Sequence, residues 1–510
     1  MGNRVVIVGG GLAGLAAAIR CAHAGYEVTL LEKNDGAGGK MNVIEEGGFL
    51  FDTGPTILTM PQVLHRLFES VGRRTEDYLR LIELDPQWRA FFEDGQVIDV
   101  IRDRQRMTDQ IRRISPEDVA GYEKFRDYAL RKYRLSERFF FWKSAEKLGD
   151  ILRPGDFSGL KGWRILSDMD PLSTVSRAID RHFKDPHLRQ ILEHFMQYVG
   201  SSPHQVPAFL CAIHHIQLEF GVWYPMGGMN RIASALIRLA QELGVKFLLG
   251  AQVERLITEG ERVIGAQAAG RVVPADLVIA NSDFVRSHRE LLPSTRTLRR
   301  IHKNPKRYEP ACSGLVIYFG LDRRYDNLWH HDFFFSKDPR KEFEDIYRRK
   351  KPTDDPTLCV CAPSRSDPSV APPGCENVYV LVHTPYLQGG ENWPSFYRPY
   401  RDLIIEKLER CGLPGFRKAI RVERWMTPVD LEQRYRVDRG AIYGIVSHGL
   451  LTGGFKPANR SKDFSNLYFC GGSVNPGPGV PMALMSGQIA ANCLLEDTGL
   501  IPASHQPSAV

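Results

Sequence analysis

The chain has 510 residues, 43% of them hydrophobic and 25% charged, with a net charge of +7. This is the composition of an ordinary globular protein with room for two or three interleaved domains, and no stretch approaches the ~20 apolar residues of a membrane span. The charge is spread along the chain without a nucleic-acid-reading module, so nucleic acid is not expected as a partner, although a mild attraction to anionic lipid is. Nine scattered cysteines argue against a disulfide framework and fit a reducing compartment, and Cys359-Val-Cys361 lacks the second pair of a zinc site. The N-terminus enters apolar strand-like sequence at once, so no secretory signal is expected, and Val6 argues against myristoylation.

The first predicted element is a β-branched strand over 4–8, followed by a buried, alanine-rich helix over 12–24. Gly9, Gly11 and Gly14 join them in a G-x-G-x-x-G turn, with Leu12 and Ala13 opening the helix. The first glycine allows the bend, the second lets backbone approach a pyrophosphate, and the third lets helix pack on strand. The helix N-terminus offers free N–H groups and the positive end of its dipole to phosphate. A second strand, 27–31, ends at Glu32, where an acid should meet ribose hydroxyls. Together these elements predict a bound dinucleotide.

Lys33, Asn34, Asp35, Gly36, Ala37, Gly38, Gly39 and Lys40 follow directly. An NAD-binding unit has no reason for this second glycine-rich basic turn. The pattern resembles the FAD enzymes related to amine oxidases, in which the acid and a downstream Gly-Gly-Arg/Lys surround the flavin nucleotide. Phe51 to Thr56 continues the resemblance, which places Gly54, Pro55 and Thr56 near the flavin ring.

Three separated segments read as one nucleotide-binding domain: 1–80, 225–283 and 441–500. The second holds a helix through Leu243, a strand near 245–249, a strand-hairpin from Val253 to Val273 and a buried strand-like run at 276–281. The third holds Gly472, Gly479, Val480 and Pro481 in another strand, glycine turn and helix, so a second helix N-terminus is aimed at the cofactor. Between them lie 81–224, read as a helical, membrane-associating and substrate region, and 284–440, read as a substrate-binding domain; 501–510 reads as a loose tail.

Over nearly its whole length the chain resembles the bacterial-type phytoene desaturases, the FAD-dependent carotenoid desaturases. The resemblance rests on His187 to Gln190, Gly221 to Met229, Ser313 to Asp322, His330-His331, Asp367 to Cys375, Phe455 to Arg460 and the closing Pro476 to Pro481. It implies an α/β fold: a Rossmann-like FAD-binding domain of the amine-oxidase and phytoene-desaturase type, with inserted substrate-binding and membrane-associating regions. It also implies stepwise dehydrogenation of a long acyclic isoprenoid, with hydride passing to the flavin and a proton lost beside it. A lipophilic polyene substrate, a membrane surface, and an electron acceptor such as oxygen or a quinone are then the expected partners. The resemblance leaves a homo-oligomer open, and it implies a cytoplasmic, peripheral membrane enzyme.

One departure bears on the substrate. Relatives acting on the colourless C40 chain carry Thr-His-Pro before the last glycines, where this chain has Ser473, Val474, Asn475 and Pro476. A C30 chain, a late hydroxylated or methoxylated intermediate, and oxidation of a terminal methyl therefore stay open. A squalene-type dehydroxylase or isomerase on the same fold stays open too. An amine oxidase is disfavoured because Ser473 stands where those enzymes carry an acid, and a non-catalytic prenyl-binding protein because the glycines and Glu32 are intact.

The resemblance also suggests Asp150 and Arg153, at i and i+3, as substrate-side catalytic residues, with a surface ion pair as the competing reading. Glu219 is a weaker candidate. No metal is expected at His214-His215 or His330-His331, because adjacent side chains point apart on a helix or strand. Phe139 to Trp142, between Arg138 and Lys143, reads either as core or as an aromatic patch seated in lipid.

Overall fold

A computed structural model describes residues 2–147, 150, 165, 167–450 and 453–501. At its centre is a five-stranded parallel sheet ordered Leu467–Phe469, Leu277–Ala280, β1 (Arg4–Val8), β2 (Glu27–Leu31) and Lys246–Leu248. Its strands come from the three separated segments, and the register pairs Val5 with both Leu277 and Val28. Val5, Val6 and Ile7 are buried on both sheet faces, which is why the run is continuously apolar rather than alternating.

Helix α1 (Leu12–His23) and the C-terminal helix Val480–Asp497 pack on this sheet and on each other. Small residues make the close crossing possible. A Cβ on Gly487 would stand 2.1 Å from the Ala13 carbonyl oxygen, and one on Gly14 would stand 2.1 Å from that of Gly9. Gly25, at φ +94°, then turns the chain from α1 toward β2.

A second, seven-stranded sheet is ordered Ile420–Met426, Ser313–Leu321, Glu376–Thr384, Leu358–Cys361, His331–Phe334, Trp88–Phe91 and Val97–Val100. All neighbours are antiparallel except His331–Phe334 beside Trp88–Phe91. Its last two strands come from the stretch read as helical. They extend the sheet because Trp88 and Ala90 bury one face of their strand in the core. Leu358, Val360, Val378, Val380 and Val382 face the helix Trp393–Arg410 and pack on Ile404, Ile405 and Leu408. Each such buried aliphatic contributes roughly 1.5–3 kcal/mol. The alternate residues line a cavity, roofed by the helices Val119–Phe139 and Ala212–Phe220.

Phe139 and Phe140 are buried, Phe140 against Phe209 and Phe455 at ring distances of 4.7 and 4.8 Å. Phe141 lines the cavity and Trp142 lies under the Arg66 guanidinium, 4.1 Å from its ring centre. The lipid-seated aromatic patch is therefore corrected: these rings close the core. Among the described residues no helix is long and apolar enough to cross a membrane.

Candidate functional site

Two glycine turns are interlocked at the C-terminal edge of the parallel sheet. The Gly38 N–H donates to the Gly10 carbonyl at 2.8 Å, and Gly11 bridges Gly38 strand-fashion. No side chain caps α1 and no acid occupies its first turn, so its leading N–H groups stay available for an anion. The C-terminal helix is likewise uncapped at Gly479, where an added Cβ would meet nothing within 4 Å.

Between these elements lies an outer cavity of about 380 Å³. Of the residues expected to hold FAD, Gly9, Gly11, Leu12, Ala13, Glu32, Lys33, Gly39, Lys40, Gly54, Pro55, Val253, Gly472, Gly479 and Val480 line it. Gly14 sits behind it, in the strand–helix contact. The Glu32 carboxylate is buried; Oε2 accepts from Gly10 N–H at 2.8 Å, and Oε1 from the Asn34 backbone and side chain at 2.8 and 2.9 Å. Lys40 donates to the Ile442 carbonyl at 2.7 Å. Burial pushes its pKa down to about 8, with Asp283 pulling the other way. Burial first, and Asp438 second, push Asp283 up to about 6 while Lys40 lowers it.

An inner cavity of about 250 Å³ continues from the first. Gly54, Pro55, Tyr379, Leu381, Tyr443, Pro478, Gly479 and Val480 line both, forming the seam between them; Thr56 and Pro481 line the inner one alone. Its floor is the face of the seven-stranded sheet that carries His331, Phe333, Cys359, Cys361, Tyr379, Leu381 and His383. Desolvation holds its imidazoles uncharged: His194 falls to about 3, and His331 and His383 to about 4. Among the described residues no carboxylate lines this cavity.

Asp150 is exposed; its carboxylate accepts from the Glu146 and Lys147 N–H groups at 2.9 and 3.1 Å and lines neither cavity. Its intended partner Arg153 lies outside the described residues. Glu219 makes a surface pair with Arg126 at 3.0 Å. His214 points into the core while His215 packs half-buried on Tyr133, as helical neighbours should. His330 and His331 depart from that rule. The strand begins only at His331, so the rings come within 4.6 Å and, with Cys361, gather three donor atoms within 4.8 Å of one another. Burial keeps the Cys361 thiol well above its usual range, so the trio is an uncharged polar wall.

Several lining residues escape local sequence reading: Asn281, Asp283, Arg286, Arg434 and Tyr435 in the outer cavity, and His194, His383 and Lys456 in the inner. Asn281 alone carries a signal, since it ends a buried strand at the sheet edge where ligands of α/β folds bind.

The shape and donor set fit a flavin dinucleotide: an elongated cleft with two uncapped helix ends, a glycine cradle, a buried acid and an apolar far end. The family profile "Flavin containing amine oxidoreductase" matches residues 12–495. The chain is 39% identical over 497 residues to 4,4'-diapolycopene oxygenase of Methylomonas sp, covering 97% of this chain and 98% of that one. It is 39% identical over 493 residues to 4,4'-diaponeurosporene oxygenase of Staphylococcus aureus (strain MSSA476), covering 96% and 98%. An oxidoreductase from Methanosarcina mazei shares the fold at TM-score 0.63 and 18% identity, over 95% of this chain and 99% of that one. Cyclohexylamine oxidase from Brevibacterium oxydans IH-35A does so at 0.61 and 13%, over 98% and 100%. The chain belongs to the flavin containing amine oxidoreductases, in their carotenoid-desaturase-type branch, and is an FAD-dependent oxidoreductase.

Proposed function

We propose that this chain oxidises the terminal carbon of a C30 diapocarotenoid to an alcohol and then an aldehyde, rather than adding interior double bonds. One observation carries the reading. The inner cavity is apolar enough for a polyene, yet its lining includes Gln197, Tyr443, Ser447 and Asn475, polar side chains that a pure hydrocarbon does not use. A hydrogen bond from such a side chain contributes about 0.5–1.5 kcal/mol, so an oxygen on the substrate or a held water favours this cavity. The oxygenase names of the 39%-identical relatives support the same choice.

FAD, when bound, supplies the hydride acceptor. Glu32 would take its ribose hydroxyls and the N-terminus of α1 its pyrophosphate, with Lys33, Lys40 and Val253 alongside; the flavin ring would lie at the seam. Hydride loss from an allylic methyl leaves a cation spread along the polyene. Water adds to the terminal carbon, and its surplus proton passes to a neutral base lining the cavity. Loss of a second hydride and the hydroxyl proton gives the aldehyde. The sum is R–CH3 + H2O → R–CHO + 4 H+ + 4 electrons, and the electrons leave to dioxygen or a quinone. Because such a substrate dissolves in lipid, we take the chain to meet it at a membrane surface.

The test supplies carotenoid-free cells expressing the protein with either diapolycopene or diapophytoene. Terminal alcohol or aldehyde from diapolycopene is the expected product. Longer-wavelength bands from diapophytoene without oxygen in the product would replace the reading with interior desaturation. Label from 18O-water in the alcohol checks the capture step; label from dioxygen would remove that step alone.

A further inference from the structure

Lys456 is a buried lysine with an unusual position. Its side chain is 2% exposed, lines the inner cavity and forms no ion pair among the described residues. The amine donates to the Ile445 carbonyl and, at 2.8 Å, to the Ser447 hydroxyl. Its stem packs on the glycine turn before the C-terminal helix: a Cβ on Gly477 would stand 3.8 Å from Lys456 Cε. Two residues on, Gly479 lines both cavities. The amine therefore sits on the substrate side of the seam, beside the turn that separates substrate from cofactor.

A lysine held here only for structure would bury its charge among neutral acceptors, which is costly without a carboxylate. Burial first, and the positive Arg307 second, lower its pKa to about 7. His448 adds no charge, since its Nε2 accepts from the Ser202 N–H and its own pKa lies near 3. The imidazoles of the floor are likewise neutral. At neutral pH the amine thus exists partly as a free base, with a lone pair inside a cavity whose lining, among the described residues, holds no carboxylate.

We propose that Lys456 is the base that takes the hydroxyl proton of a polyene primary alcohol as the alcohol becomes an aldehyde. The inference rests on the terminal-oxidation reading above and names the residue that carries its second half. The O–H bond breaks and its proton joins the Lys456 Nζ lone pair. The C–H pair of electrons leaves as hydride, for which FAD, when bound, would be the acceptor, and the C–O single bond becomes the carbonyl. An external acceptor, dioxygen or a quinone, would take the two electrons in turn. A general base in this position is worth about 10²–10⁴ in rate, which separates it from a residue that merely packs.

The experiment gives a C30 polyene primary alcohol directly to the flavin-loaded enzyme and follows aldehyde formation from pH 5.5 to 8.5. The wild-type rate should rise with pH through about 7, as Lys456 loses its proton. In Lys456→Ala and Lys456→Gln with full flavin content, the rate should fall about a hundredfold or more and the inflection should vanish. Methylamine should restore part of it to Lys456→Ala. A readout without turnover comes from a polyene carboxylic acid, followed by its absorbance change on binding. Its affinity for the wild type should weaken about tenfold from pH 6 to 8, and in Lys456→Gln should not change over that range. Aldehyde formation within threefold of wild type in both variants, or acid binding independent of pH in the wild type, overturns the proposal. Oxidation of the supplied alcohol with no attack on diapolycopene would sink the terminal-oxidation reading and leave Lys456 as the base.

Discussion

The Cα of Gly11 stands 3.0 Å from where a Cβ on Gly39 would be, and Gly39 is itself at φ +60°. Two turns 28 residues apart in sequence are thus pressed together without side chains between them, and both line the outer cavity. Gly39→Ala should strain the left-handed backbone by about 1–2 kcal/mol and push the phosphate-side turn outward. The expected result is roughly five- to thirtyfold weaker FAD binding, measured by flavin fluorescence titration of the apoprotein. Gly36→Ala is the control, since a Cβ there meets nothing within 4 Å. Equal affinity in the two variants would mean that the contact does not shape the cradle.

Glu32 should matter in the same cavity for a different reason. Its two oxygens accept three N–H donors from Gly10 and Asn34, and of these only the Asn34 amide has a second acceptor, the Arg434 carbonyl at 3.4 Å. Glu32→Gln sets an NH2 against an N–H and costs about 1–3 kcal/mol. Both the melting temperature of the apoprotein and its FAD affinity should fall, because the same carboxylate holds the turn and faces the cofactor. A variant that loses affinity but keeps its melting temperature would confine Glu32 to ligand contact.

How much of this was legible follows from the range of each contact. Gly9, Gly11, Gly14 and Glu32 are readable because their roles are fixed within one strand–turn–helix–strand unit. The Lys40 side chain is not readable, since it reaches the Ile442 carbonyl 402 residues on. Composition likewise could not say which way Phe139 to Trp142 face. Only the packing of Phe140 on Phe209 and Phe455 from distant segments decides it. For His330 and His331 the period-two rule failed at a strand boundary, which sequence locates poorly. Lys456 stood inside a quoted motif, but nothing local reveals that its amine lacks a carboxylate.

His214 predicts a pH dependence. Its ring is fully buried, bonds the Leu192 carbonyl at 2.8 Å and stacks on Phe195 at 4.7 Å. Desolvation lowers its pKa from 6.5 to about 4. The unfolded chain therefore binds this proton first, and the residue's stabilising contribution is complete above pH 6.5 and lost as pH falls toward 4. Between pH 7.5 and 5 the wild type should lose about 2 kcal/mol that His214→Gln does not lose. Urea unfolding of both proteins at the two pH values checks this, with other titrating groups cancelling in the difference. A pH-independent difference would mean that His214 is hydrated in the folded state.

Tyr198 offers the sharpest separation between an oxygenated and a hydrocarbon substrate. Its side chain lines the inner cavity, its hydroxyl lies buried beside the Gln217 side chain, and its ring lies 5.8 Å from that of Phe195. Tyr198→Phe keeps the ring and removes the polar atom. If the cavity holds only hydrocarbon, the change removes a polar atom that binding never uses, and diapolycopene should bind as well or better. If the hydroxyl holds a water or the terminal oxygen, that partner goes with it. A polyene alcohol should then bind about five- to tenfold more weakly, from a lost hydrogen bond of about 1–1.5 kcal/mol, while diapolycopene binds no worse. The two ligands thus move in opposite directions only under terminal oxidation. Parallel changes in both affinities, read by polyene absorbance titration, would return the cavity to a purely apolar role and favour interior desaturation.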